Sequence, residues 1–187
     1  MGRKKNYKIN YDNIPVLAIG FTRATNIVAR AIQLVRGILN KPDLPNHAFI
    51  VTSDRGQKFA TEQTIRGLEV KSLEQYAYKN NKIVAVYFWQ SRENETWVSE
   101  AQDFLALVRR RSLENSKYDI IGLLSFLPVL NKFVKPDKNK EWCSENVAGI
   151  LKHFGATFIT KKEIAPDELL IKMQKSNECI EIRGYYE

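Results

Sequence analysis

The chain has 187 residues, enough for one compact domain with its own hydrophobic core. Hydrophobic residues make up 44% and charged residues 27%, a globular balance that excludes wholesale disorder; no apolar run reaches the roughly 18 residues of a spanning helix. The net charge of +8 favours anionic partners such as nucleic acid, acidic polymers or lipid head groups, and a basic surface that merely keeps the chain soluble accounts for it equally; no nucleic-acid motif accompanies the basic clusters at 3–5, 109–111 and 132–140, which makes nucleic acid the minor reading.

Residues 1–13 are polar and basic and read as a loose arm; no apolar signal segment follows, so the expectation is a chain made without a signal peptide. Residues 14–19 read as a short buried strand ended by Gly20, with Thr22 capping a helix to about Arg36. Ile27, Val28, Ala31, Ile32 and Val35 form its apolar face, and Gly37 stops it. Residues 47–52 and 58–63 read as a hairpin around Ser53-Asp54-Arg55-Gly56. A two-residue turn at Asp54-Arg55 sets His47 opposite Glu62, whereas a three-residue loop with a Gly56 bulge brings Gln63 there instead.

Strands are expected at 68–70 and 82–89, separated by a brief turn that Ser72 caps through Tyr76. Thr96 opens a helix carrying Trp97, Ala101, Phe104, Leu105 and Val108 at helical spacing. A short apolar helix at 118–127 is stopped by Pro128, and a basic loop follows at 132–140. Val147, Ile150, Leu151 and Phe154 form the stripe of another helix, closed by Gly155 and starting near Cys143. Phe158 and Ile159 read as a short strand, residues 166–174 as a helix with Pro166 in its first turn, and 179–183 as a final strand. One α+β domain over 1–187 is the simplest account, with an antiparallel sheet packed against helices.

Cys143 is the candidate nucleophile. Amide N–H groups and the dipole at a helix start favour the thiolate, which is the reactive form. His47 is the candidate base, with Glu62 or Gln63 orienting its other ring nitrogen. His153 lies ten residues along the same helix, roughly 15 Å away at ~1.5 Å per residue, too far for proton transfer. Cys179 falls in an alternating apolar strand and reads as inert core. The two cysteines and two histidines lack the spacing of a zinc site, so neither metal nor cofactor is expected.

A histidine on an early strand, a glutamate on the next and a cysteine opening a late helix resemble the circularly permuted papain-like hydrolases of the NlpC-type superfamily, within it the YiiX-like group. The resembling segments are Asn46-His47-Ala48-Phe49-Ile50-Val51, Glu62 with Gly67-Leu68 and Ser72-Leu73, Tyr118-Asp119-Ile120-Ile121-Gly122-Leu123-Leu124, Trp142-Cys143-Ser144-Glu145 and Ile164-Ala165-Pro166-Asp167-Glu168-Leu169. The likeness runs from about Ile14 to Leu170. It departs at Gln63, where a small residue usually follows the glutamate, and at Asn46, where serine often precedes the histidine.

The resemblance implies a permuted papain-like fold with a small barrel-like sheet, Cys143 as nucleophile, His47 as base and Glu62 as orienter. It implies acyl transfer through a thioester acyl-enzyme, with the Cys143 N–H as an oxyanion donor. Tyr118 either donates a second hydrogen bond or is a core tyrosine. The expected function is a cysteine hydrolase of amide bonds, including cell-wall peptides; the alternatives are a lipid acyltransferase or thioesterase on the same scaffold, and a non-catalytic basic binding module. The expected location is the cytoplasm or, for a wall substrate, a phage particle.

Overall fold

The computed structural model describes residues 10–24, 30, 33–34, 37, 44–64, 67–78, 81–90, 99–100, 103, 106, 143–161 and 164–183. Their strands form one antiparallel sheet: β1 Ile19–Ala24, β2 His47–Asp54, β3 Gln57–Thr64, β4 Gly67–Ser72, β5 Asn81–Trp89 and β6 Cys179–Glu181, in the order β4-β3-β2-β1-β5-β6. The helices are α1 Leu73–Tyr78, α2 Cys143–His153 and α3 Pro166–Lys175. The class is α+β. The sheet is open, with β4 and β6 at its two ends, and not the barrel-like closure expected from the resemblance.

Strand alternation divides the core. Ala48 and Ile50 of β2 join Phe21, Val147, Ala148 and Leu151 in one buried cluster, so α2 covers that face. Phe49 and Val51 join Ala60, Leu73, Tyr76 and Val86 in the other, so α1 covers the opposite face. Each fully buried Leu or Ile contributes roughly 1.5–3 kcal/mol, which makes slippage of β2 by one residue prohibitive. Among the described residues no helix is long and apolar enough to cross a membrane.

The first strand differs from the sequence expectation. The chain turns at 15–18, with Leu17 at φ 66° and Ala18 N–H donating to the Pro15 carbonyl at 3.2 Å, and β1 begins only at Ile19. It then runs through both Gly20 and Thr22, and Thr22 pairs with His47 on one side and Ile83 on the other. Gly20 does not stop the strand because it makes room for a ring. A Cβ built there would lie 2.0 Å from Phe49, its cross-strand partner. Thr22 suits a strand as well as a cap, and two ladders outweigh one capping bond. Arg30, Gln33 and Leu34 are helical and Gly37 takes φ 63°, but the apolar face proposed for that helix lies outside the described residues.

The hairpin turns one residue later than expected. Arg55 and Gly56 take φ 49° and 81°, the paired positive values a two-residue turn demands, and Asp54 pairs with Gln57. Neither expected register is adopted. Counting on from Ile50 opposite Thr61 sets Phe49 opposite Glu62, which leaves His47 and Glu62 as diagonal neighbours on one face.

Phe158 and Ile159 form no strand; they lie in the α2–α3 connection, where Ile159 is buried in the core without a ladder. Pro166 is in the first turn of α3, and Gly155 follows α2 at φ 88°. The last strand is shorter than expected, three residues paired with the end of β5. Ser99, Glu100, Asp103 and Ala106 are helical and exposed, while the helix at 118–127 and the basic clusters at 109–111 and 132–140 lie outside the described residues.

Gly20→Ala is expected to lower unfolding free energy by about 1–3 kcal/mol, because the Phe49 ring must leave its place. Urea denaturation of the two proteins measures this directly, and coincident midpoints would contradict the close approach.

Candidate functional site

His47 opens β2, and the residue before it is pinned to β1. Asn46 is buried; its Oδ1 accepts from Ala24 N–H at 2.8 Å, and its Nδ2 donates to the Ala24 carbonyl at 2.9 Å. Its own N–H donates to the Thr22 carbonyl at 3.1 Å. A side-chain amide thus continues the ladder where backbone pairing ends, and His47 enters β2 in a fixed orientation opposite Thr22. The imidazole is 16% exposed.

Glu62 meets the ring. His47 Nε2 lies 2.5 Å from Glu62 Oε2. The same oxygen accepts from Tyr76 Oη at 2.7 Å, and Oε1 accepts from Lys71 Nζ at 2.7 Å. The carboxylate is buried, at 3% side-chain exposure, so these donors replace the water it has lost. Tyr76 in turn packs against Phe49, with ring centroids 4.8 Å apart. One aromatic pair therefore links the Gly20 gap to the acid.

Cys143 is the first residue of α2 and is buried. Its side chain and that of His47 lie within hydrogen-bonding reach of each other. Ser144 fixes the helix start: its hydroxyl donates to the Ile164 carbonyl at 2.5 Å, tying the first turn of α2 to the approach of α3.

Burial alone would lower the pKa of His47. The negative charge of Cys143, its hydrogen bond, and then the hydrogen bond and charge of Glu62 override it and raise the ring to about 10. Burial would raise Glu62, but the hydrogen bond and charge of His47, followed by the bonds from Lys71 and Tyr76, hold it down to about 2. Tyr76 is pushed well above its ordinary value by burial and by the Glu62 charge, so it remains a donor. Burial pushes the Cys179 thiol up to about 12, which leaves it a poor nucleophile.

The structure thus brings Cys143, His47 and Glu62 together. Gln63, the other candidate neighbour of His47, belongs to the opposite face of β3, and its buried Nε2 has no hydrogen-bond partner. His153 is exposed at the far end of α2, stacked edge-on with Phe154. Tyr118 lies outside the described residues. Sequence reading missed Lys71 and Tyr76 as partners of Glu62. A signal existed for Lys71: once β3 and β4 pair closely, Glu62 and Glu69 stand opposite and Lys71 falls on their face.

No family model matches the chain, and no curated protein does. The fold is shared with a solved structure, the metalloprotein yiiX from Escherichia coli O157:H7 (DUF1105), at a TM-score of 0.56 and 13% identity; the match covers 94% of this chain and 99% of that one.

Stability should carry the signature of the ion pair. Glu62 titrates near 2 when folded against an ordinary 4.5, so its contribution is whole above pH 4.5 and is lost as pH falls toward 2. His47 titrates near 10 against an ordinary 6.5, so its contribution is whole below pH 6.5 and is lost as pH rises toward 10. Thermal midpoints of the parent are expected to plateau between pH 4.5 and 6.5 and fall on both sides. Glu62→Gln should flatten the acid arm most, and a variant profile superimposable on the parent would refute the pairing.

Proposed function

We propose that this protein is a cysteine hydrolase of the permuted papain-like type, cleaving amide bonds through a Cys143–His47–Glu62 triad. The observation that supports it is a single imidazole in reach of both a thiol and a buried carboxylate. His47 draws the proton from Cys143, and Glu62 steadies the imidazolium and holds the ring's orientation. The thiolate attacks the carbonyl carbon, and the oxyanion faces the N–H of Cys143 at the start of α2. His47 then protonates the departing amine. A thioester remains, which water hydrolyses with His47 as base to release the acid and regenerate the thiol.

The yiiX structure is described as a metalloprotein. Among the described residues, no group of three or more His, Cys, Asp or Glu is arranged to hold a metal ion. A cation at Glu62 would meet the Lys71 ammonium, which lies 2.7 Å from Oε1, and a ring already bonded to Oε2. These residues do not fit a metal, and the steps above use none. The overall charge of +8 suits an anionic substrate such as a cell-wall peptide, and acyl lipids share that attraction.

Iodoacetamide at neutral pH is expected to label Cys143 faster than Cys179, and His47→Ala should abolish the difference. Incubation with peptidoglycan, peptide amides and acylated lipids, read by mass spectrometry, then identifies the bond. Cys143→Ala should abolish turnover, and His47→Ala should lower it by about 10²–10⁴-fold. Equal, slow labelling of both cysteines and no product from any of the three would leave a binding module in place of an enzyme.

A further inference from the structure

The charged and titratable groups facing Glu62 come from several elements: His47 of β2, Glu69 and Lys71 of β4, and Tyr76 of α1, with Cys143 of α2 beyond the imidazole. Glu69 is the direct cross-strand partner of Glu62, so two carboxylates stand opposite each other. Like charges so placed repel, and one of the two ordinarily takes up a proton. Lys71, two residues along β4 from Glu69, falls on the same face and inserts its ammonium between them. Its Nζ lies 2.7 Å from Glu62 Oε1 and is also bonded to Glu69 Oε2. Thr64 Oγ1 donates to the other oxygen of Glu69 at 3.0 Å, fixing the outer end of the bridge. Lys71 is 44% exposed where Glu62 is 3% exposed, so a surface lysine here reaches down to a buried acid.

We propose that Lys71 is a positioning residue of the site: by bridging Glu62 and Glu69 it keeps Glu62 anionic and leaves the second carboxylate oxygen to His47. This rests on the hydrolase reading, because only there does the ionisation of Glu62 serve the sulfur. Lys71 itself touches no reacting atom. Its effect passes through Glu62 to the imidazole, and the pKa of Lys71 is raised, against burial, by its bonds to Glu62 and Glu69.

The test is the rate of Cys143 alkylation by iodoacetamide against pH, with the labelled cysteine identified by mass spectrometry. In Lys71→Met, the pH at which the rate falls to half on the acid side is expected to move up by roughly one unit. Lys71→Arg should bring it back. Lys71→Met combined with Glu69→Gln should also recover most of the shift, since the repelling charge has gone. A lysine that merely held the strand would not be rescued by removing a second charge. Should Lys71→Met fail to fold, Glu69→Gln alone decides: the midpoint is expected to move down, and an unchanged or raised midpoint overturns the proposal. Coincident midpoints in the parent, Lys71→Met and the double variant also overturn it, while rapid labelling of Cys143 in all three leaves the hydrolase reading standing. A parent in which Cys143 labels no faster than Cys179 overturns both.

Discussion

A carboxylate at 3% exposure must replace its hydration with donors or give up its charge, and Glu62 keeps the charge by taking three. Each donor arrives on a different element, so meeting that one requirement fixes β2, β4 and α1 relative to β3. The magnitudes show why this matters more than any single apolar contact. Removing one partner of a buried charge pair typically costs about 3–5 kcal/mol because the other is stranded, against about 1 kcal/mol for an ordinary hydrogen bond. A change at His47 therefore acts first on Glu62, whereas the half-exposed Lys71 is screened by solvent and the fully buried Tyr76 ring also carries core packing.

The site lies where the two layers meet. β2 gives Ala48 and Ile50 to the α2 side and Phe49 and Val51 to the α1 side, and His47, as its first residue, stands at the strand's end. Cys143 is likewise the first residue of its helix. Two element ends thus bring a thiol from one layer to an acid supported by the other. The anchors lie beside His47 and Cys143: Asn46 on the backbone of β1, and Ser144 on the chain before α3.

What the sequence disclosed depended on how local the governing force is. The helix beginning at Cys143, its closure at Gly155 and the start of α3 at Pro166 are set by periodicity and caps within a few residues, and these were legible. The strands at 82–89 and 47–52 were legible for the same reason. β1 was not, because Gly20 and Thr22 carry local stop and cap signals that ladders from β2 and β5 override. The hairpin turn was misplaced by one residue because Arg55 accepts a positive φ that local preference assigns elsewhere. Even so, the histidine and the acid share a face, since a diagonal pair tolerates that shift when the side chains are long. Lys71 becomes legible only once the β3–β4 register sets Glu62 opposite Glu69, and Tyr76 only once α1 is packed onto the sheet.

Likeness of fold at 13% identity leaves the chemistry of the site open, and the charge pattern at Glu62 narrows it. A carboxylate that serves a cation keeps its lone pairs free and its surroundings negative. Here an ammonium, a phenol and an imidazole take both oxygens, and the acid is held near 2 by donors that are themselves cations or hydroxyls. The same arrangement gives the imidazole reason to stay protonated, to about 10, when a negative sulfur stands on its other side. Negative and positive groups therefore alternate from Glu62 through Lys71 to Glu69, with His47 on the other oxygen of Glu62. Such a row is poorly suited to binding a metal, and it sets one imidazole between a thiol and a buried carboxylate, the arrangement on which the proposed acyl transfer rests.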